Sequence, residues 1–295
     1  MPGPGLHRFS VLLAVCTFLL VAAGATVVSK EAGLSVPDWP LSYGKVMPPM
    51  TGGVLYEHGH RMIATTVGLL TVILCVWLWL KDDRRWMKWL GTVALLAVIA
   101  QGVLGGLTVL YLLPKAVSVG HACLAQLFFA TTVAIAIFTS PSWHSGAIYV
   151  KDQGWPSMRS LAWISSGFVL AQIALGAAYR HQAIDVIPHV VGAFVTALVT
   201  ILTASFAWSQ YGHLEPMKRA AQALISVTGL QLVLGLLALM SRINSEGQAQ
   251  PELSMVILTV LHTAAGGLVL ASSCALSIQI LRNVHPALLE PAAAA

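Results

Sequence analysis

The sequence predicts an all-α integral membrane protein. It has eight transmembrane helices, arranged as two parallel four-helix bundle repeats, with both termini in the cytoplasm. Three observations carry this expectation. The 295-residue chain is 57% hydrophobic and only 9% charged, with a mean hydropathy of +0.79, whereas an ordinary soluble domain carries about 25% charged residues. Eight apolar stretches each reach the length of about 20 residues that a membrane-crossing helix needs. A short phrase, Gln-x-x-x-Gly, recurs in three of the alternate stretches.

The stretches fall at residues 10–29, 61–80, 89–113, 117–139, 159–178, 187–209, 219–241 and 254–281. They are too long and too uniformly apolar for barrel strands, which alternate between lipid-facing and lumen-facing residues. A helix satisfies its own backbone polar groups in lipid, so helices are the expected element. The first stretch follows a short basic leader, Met1 to Arg8, which raises the question of a cleaved signal peptide. Its apolar run from Val11 to Val28 is longer than a usual signal core, and keeping it leaves an even helix count. It is read as a retained helix.

Basic residues divide unevenly between the two sets of connectors. One set holds Arg8, Lys81, Arg84, Arg85, Lys88, Lys151, Arg159, Lys218, Arg219 and Arg282; the other holds Lys30, Lys45, Arg61, Lys115, Arg180 and Arg242. The richer set belongs on the cytoplasmic side, as do both termini. Trp86, Trp89, Trp143, Trp155 and Trp208 lie near those inner boundaries, as interfacial anchors do. The net charge of +5 is therefore a topology signal. Membrane lipid is the expected partner, and nucleic acid is not.

The four cysteines, Cys16, Cys75, Cys123 and Cys274, lie in different apolar stretches and read as small hydrophobes. No Cys-x-x-Cys occurs, which excludes covalent c-type haem attachment.

The repeated phrase is Gln101-Gly102-Val103-Leu104-Gly105, then Gln172-Ile173-Ala174-Leu175-Gly176, then Gln231-Leu232-Val233-Leu234-Gly235. Each copy is followed by an outer loop and a stretch containing a histidine. The first pair of stretches keeps only part of this unit, its loop being a long insertion. Small residues let helices approach and glutamine bonds across them, so packing is the reading favoured for the phrase. Four units make an N-terminal four-helix half at 10–140, with its long first outer loop within 30–60. A cytoplasmic linker at 141–158 and a C-terminal half at 159–285 follow. Each half begins on the same side, so the repeat is parallel about an axis along the membrane normal.

The histidines of the four units are His60, His121, His189 and His262. They stand near the outer ends of stretches two, four, six and eight, His262 about two turns inside. An imidazole inside a membrane span is costly and is usually kept for a partner. One imidazole from each of two facing helices makes a bis-histidine site for haem iron, pairing His60 with His121 and His189 with His262. Zinc is the competing metal, but it prefers an approximately tetrahedral set with Cys, Asp or Glu at hand. The other six histidines, at 7, 58, 144, 181, 213 and 285, fall mostly in loops or tails and carry no assignment.

The sharpest local motif is Glu57-His58-Gly59-His60-Arg61. Helical spacing puts Glu57, His60 and Arg61 on one side and His58 elsewhere. A carboxylate beside an axial ligand can orient the imidazole, move protons or stabilise charge, which makes Glu57 the candidate catalytic residue. The competing reading is a helix-start carboxylate paired to Arg61, and the sequence leaves both open. Arg61 and Arg180 are candidates for haem propionates, which suit a guanidinium. No carboxylate precedes His189 by three residues, so the halves are asymmetric, as expected if one keeps a reactive haem and the other an electron-transfer or structural one. The loop at 31–56 contains Pro37-Asp38-Trp39-Pro40-Leu41 and Met47-Pro48-Pro49, which are stiff and turn-rich. A loop of this length is more often functional than passive, and it is expected to lie over the haem site of the first half.

With Pro37-Asp38-Trp39-Pro40-Leu41, Glu57-x-x-His60-Arg61, Gln101-Gly102-Val103-Leu104-Gly105-Gly106-Leu107-Thr108 and the four-histidine frame in place, the chain resembles the haem A synthases. The resemblance runs from about Gly24 to the eighth stretch. It implies a membrane oxidoreductase of cytochrome oxidase biogenesis, which oxidises a ring methyl of haem O to the formyl group of haem A. It further implies haem b between His189 and His262, substrate haem at His60 and His121, and importance of Glu57 for activity. Many members carry a cysteine pair in the first outer loop; the matching positions here are Val36 and Ser42, as in the cysteine-free branch. The alternative from another class is a bis-histidine b-type cytochrome that only carries electrons. A transporter built on parallel repeats is disfavoured, because the spans lack mid-membrane charges. The implied location is the bacterial cytoplasmic (inner) membrane, with the haem sites toward the extracytoplasmic side. Haem O synthase, oxidase assembly factors and a second copy of the chain are candidate partners, and the electron acceptor is unassigned.

Overall fold

Every apolar stretch is one continuous helix in the computed structural model, which describes residues 4–152, 154–245 and 250–286. The eight long helices are α1 (Pro4–Ser29), α2 (Gly53–Lys81), α3 (Arg85–Leu110), α4 (Lys115–Phe138), α5 (Met158–Arg180), α6 (Val186–Tyr211), α7 (Glu215–Asn244) and α8 (Leu253–Asn283), with one further helical turn at Pro141–His144 in the linker. All eight are long and apolar enough to cross a membrane, so the chain is an all-α multi-pass membrane protein.

Four helices, α1, α2, α3 and α7, begin four or more residues before their apolar runs, and charge explains α2 and α7. α2 starts at Gly53 because its first turns are held by the Glu57–Arg61 pair at 2.7 Å. α7 starts at Glu215, with proline at its first positions and a Glu215–Arg219 contact of 3.0 Å. A hydropathy window stops at the first charge, whereas a helix continues when i,i+4 partners satisfy that charge. α3 ends earlier than its apolarity suggests. Leu112 and Leu113 have left-handed φ values of 58° and 59°, and Pro114 follows, whose ring disfavours a helical residue before it.

The helices close into two rings. α1 packs on α2 and α4, and α3 completes the first ring between them; α5 packs on α6 and α8, with α7 between those two. The rings meet through α1 against α8, α4 against α8 and α4 against α5. In each ring the main buried apolar cluster lies toward the linker end. In the first ring it comprises Leu6, Leu13, Val67, Leu74, Leu78, Met87, Ala94, Phe128 and Ile135. In the second it includes Met158, Ala162, Ala204, Tyr211, Met217, Leu224, Leu276 and Ile280. Toward the other end the helices face one another through the histidines.

Polar clamps tie the linker end. Val150–Lys151 pairs in parallel with Val284–His285, and Arg159 donates to the carbonyls of Leu281 (3.0 Å) and Val284 (2.9 Å). Asp82 is buried at the α2–α3 turn, where Arg84 bonds it through Nε (2.9 Å) and Nη2 (2.7 Å) and reaches the Phe138 carbonyl at 3.0 Å. Burial alone would raise the pKa of Asp82, but the Arg84 hydrogen bonds and charge outweigh it and hold the carboxyl below its ordinary 3.8. This contribution to stability is complete above pH 3.8 and fades only as pH falls through the lower native value. Asp82→Ala is expected to destabilise the protein by about 2 kcal/mol, the size of a lost hydrogen bond to a charged group, because it leaves a half-buried guanidinium without its partner. Thermal unfolding in detergent at neutral pH reads this loss.

Candidate functional site

His60 stands on α2, His121 on α4, His189 on α6 and His262 on α8, all toward the end opposite the linker. His189 is about one turn into its helix, His60 and His121 about two, and His262 nearly three. The early start of α2 therefore sets His60 deeper than its apolar run implies.

The imidazoles fall into two pairs, one in each ring of helices. His60 stands on α2 and His121 on α4, the two helices that both pack on α1 and α3. His189 and His262 have ring centres 6.1 Å apart and planes at 86°. Two imidazoles on one metal at about 2 Å per bond hold their ring centres about 6 Å apart, so the second pair has the spacing of a shared axial site. Buried, unpartnered nitrogens support a ligand role: the Nδ1 atoms of His60, His121 and His262 have no hydrogen-bond partner at bonding distance. Among the described residues, no three His, Cys, Asp or Glu gather as a metal-ion set.

The repeated phrase is built around these rings. Gln101 donates to the main-chain oxygen of His121 at 2.9 Å, and Gln172 donates to that of His189 at 2.8 Å while lying 2.9 Å from its Nδ1. The amide of Gln231 is 3.4 Å from the Nε2 of His262. The glutamines thus bond across the helix pair, as the packing reading expects, and what they bond is the histidine. The glycine of each phrase faces the same ring: Gly105 faces His121, Gly176 His189 and Gly235 His262. Gly24 on α1 faces His60 in the same way. The repeated phrase does not mark Gly24, because Leu20 occupies the glutamine position in α1.

The first outer loop is fastened to the start of α2. Glu57 is buried; its Oε2 accepts from the Val36 amide at 2.8 Å and its Oε1 pairs with Arg61 at 2.7 Å. Arg61 Nη1 donates to the carbonyls of Asp38 (2.8 Å) and Leu41 (3.0 Å). His58, which carried no assignment, is buried with Nδ1 2.8 Å from Ser42 Oγ. Val36 and Ser42, the positions compared above with a cysteine pair, are thus both tied to α2. Asp38 caps its own turn, accepting from the Tyr43 and Gly44 amides at 2.6 and 2.8 Å. The Gly44 amide is the main cause that holds its pKa below 3.8. Trp39 lies across Gly106, next to the glycine that faces His121.

Arg180 lies between the two rings of helices, where its Nη2 donates to the Ala25 carbonyl at 3.2 Å and to Ser29 Oγ. Arg61 and Arg180 are therefore both engaged by main-chain oxygens of the first ring. Arg242 was missed by sequence reasoning: it stacks 4.9 Å over Tyr179, which lies 6.4 Å from His189 with planes 16° apart. His181, between α5 and α6, is held below its ordinary 6.5 by burial and then by the charge of Arg180. No spacing rule in the sequence joins Arg242 to His189.

Comparison with known proteins places this architecture. A family model described as COX15-CtaA, cytochrome oxidase assembly protein, matches residues 7–55 and 51–184. A protein of Alkalihalophilus pseudofirmus named heme A synthase is 29% identical over 136 residues, covering 45% of this chain and 46% of that protein. One of Lysinibacillus sphaericus with the same name is 34% identical over 109 residues, 36% of each chain. Another, of Symbiobacterium thermophilum, is 28% identical over 182 residues, covering 60% of this chain and 59% of its own. The match to the first of these spans under half of that relative's length. The relatives are bacterial, and with its eight spans this is a multi-pass bacterial membrane protein. The chain belongs to the COX15-CtaA family of cytochrome oxidase assembly proteins.

Proposed function

We propose that this protein is a haem A synthase, a membrane oxidoreductase that converts the ring methyl of haem O to the formyl group of haem A. The observation that carries the reading is the division of four deep imidazoles into two pairs. The second pair has a ring separation of 6.1 Å, suited to a shared iron. The relatives named heme A synthase support the choice of reaction.

In this reading His189 and His262 hold haem b in the C-terminal half (159–285), and His60 and His121 receive the substrate in the N-terminal half (10–140). Haem b, when bound, supplies one-electron transfer. The chain's own residues position and enclose. Glu57 and Arg61 hold the first outer loop, and Trp39 covers the helix end beside His121. Glu57 places a carboxylate one turn from His60, where it handles a proton or stabilises charge. Arg242, stacked on Tyr179 beside His189, and Arg180, at the end of α5 that carries Tyr179, supply two guanidiniums, with propionates as the matching anions. The basic connectors put the linker end and both termini in the cytoplasm, so the histidine end faces outward from a bacterial inner membrane. A haem O synthase supplies the substrate, and oxidase assembly factors take the product. A homo-oligomer is part of the same expectation.

Haem extraction and chromatography test the proposal, using cells that make this chain together with a haem O synthase but no other source of haem A. Haem A is expected only when the intact chain is present. Unchanged haem O beside a purified b-type spectrum, with electron acceptors supplied, would replace the proposal by an electron carrier.

A further inference from the structure

The same contact occurs four times: in each helix pair a glycine on the first helix faces the Cε1 edge of the histidine on the second. A Cβ built at Gly176 would come within 2.8 Å of His189 Cε1, and one at Gly235 within 2.9 Å of His262 Cε1. At Gly24 the distance to His60 Cε1 is 3.0 Å, and at Gly105 that to His121 Cε1 is 3.4 Å. Real side chains essentially avoid the two shortest of these, and only the last is an ordinary contact. Other glycines on the same helices behave differently: Gly102, Gly167 and Gly229 would meet nothing within 4 Å.

Lacking a side chain, each of these glycines lets an imidazole lie against the neighbouring helix backbone. The glutamine one turn before the glycine ties down the same histidine's main chain in two of the pairs, Gln101 donating to the His121 carbonyl at 2.9 Å and Gln172 to that of His189 at 2.8 Å. A ring seated this way has its rotation fixed by backbone, which no rotamer change can move. Fixing the rotation fixes where the far nitrogen points. It also sets the angle between paired planes, 86° for His189 and His262.

We propose that Gly24, Gly105, Gly176 and Gly235 are positioning residues, each setting the plane of one imidazole toward iron, and that the tightness of contact grades their importance. The proposal rests on the histidines being haem ligands, and its test separates the two ideas. Near-perpendicular imidazole planes give ferric haem a strongly anisotropic low-spin EPR signal, and planes turned toward parallel give a rhombic one.

The experiment uses the full-length protein purified with its own haem and compares Gly176→Ala and Gly235→Ala with Gly167→Ala and Gly229→Ala. Haem per protein, the low-spin EPR signal and the midpoint potential are read without substrate. The two facing-glycine variants are expected to retain haem roughly tenfold more weakly, the usual size of losing support for a metal ligand. The haem they keep is expected to give a less anisotropic signal and a changed potential. The two control variants are expected to match the parent. For the substrate pair, Gly24→Ala should weaken haem O binding in an optical titration more than Gly105→Ala does. If one facing variant fails to fold, the other still reports on the same pair. Parental spectra in both Gly176→Ala and Gly235→Ala, or equal losses in the controls, would overturn the proposal. A parental low-spin spectrum in His189→Ala would instead overturn the ligand reading beneath it.

Discussion

Replacing His189 with alanine is expected to remove the low-spin haem from the purified protein, with His262→Ala giving the same result. The two rings stand 6.1 Å apart, and under the proposed function they share one iron, so losing either would leave it with a single protein ligand. The double variant is expected to be no worse than either single one, since residues acting as a unit are not additive. Loss of the imidazole packed on Gly176 also opens space, costing about 2 kcal/mol, too little to unfold a protein whose main core lies at the other end of the bundle. His60→Ala is expected to keep the b-type spectrum while abolishing haem A formation. Optical spectra, pyridine haemochrome content and haem chromatography on the same preparations measure all three. A normal b-type spectrum in both His189→Ala and His262→Ala would show that the iron lies elsewhere.

The second large effect falls on Glu57. Glu57→Ala is expected to lower haem A formation by at least about a hundredfold, the low end of general acid–base contributions. Two causes are separable, because both carboxylate oxygens are already engaged, one by the Val36 amide at 2.8 Å and the other by Arg61 at 2.7 Å. Alanine leaves Arg61 half-buried without its charge partner and the Val36 amide without an acceptor, at about 1.5–3 kcal/mol per charged hydrogen bond. Glutamine keeps one acceptor for Val36 but turns an amide donor toward Arg61, so it loses the charge and the Arg61 hydrogen bond while sparing the loop amide. If Glu57 handles a proton, Glu57→Gln will be nearly as inactive as alanine while the loop stays resistant to protease. If the carboxylate only fastens the loop, protease sensitivity and activity will move together across both variants. Ser42→Ala serves as the reference for loosening the loop without touching the carboxylate, since Ser42 is tied to His58 at 2.8 Å.

The Glu57–His60–Arg61 motif shows how much of such a site is legible in sequence. Helical spacing alone put Glu57 and Arg61 together, because residues four apart share a helix face wherever a helix forms. It left open what they do, because their other partners, Val36, Asp38 and Leu41, come from a loop with no periodicity. His58 was legible only as pointing elsewhere; its partner Ser42 lies across the same loop. Gly24 was not legible, since α1 lacks the glutamine of the phrase and the glycine-to-histidine spacing differs in every helix pair. Nor was Arg242, since it reaches His189 only through the stacked ring of Tyr179.

What the sequence determined by itself was everything that depends on local periodicity and on transfer from water to lipid. That covers eight helices, their approximate ends, and a histidine on every second one. These follow because a span of about 20 apolar residues has one stable form in a bilayer. Only the tertiary structure decided which imidazoles face each other and how far apart. It also decided which glycines seat them and where Arg61 and Arg180 place their guanidiniums. Those outcomes depend on contacts such as α1 with α4 and α5 with α8, which join helices far apart in the chain. Packing energy is shared among many small contacts there, and no short sequence pattern encodes such a sum.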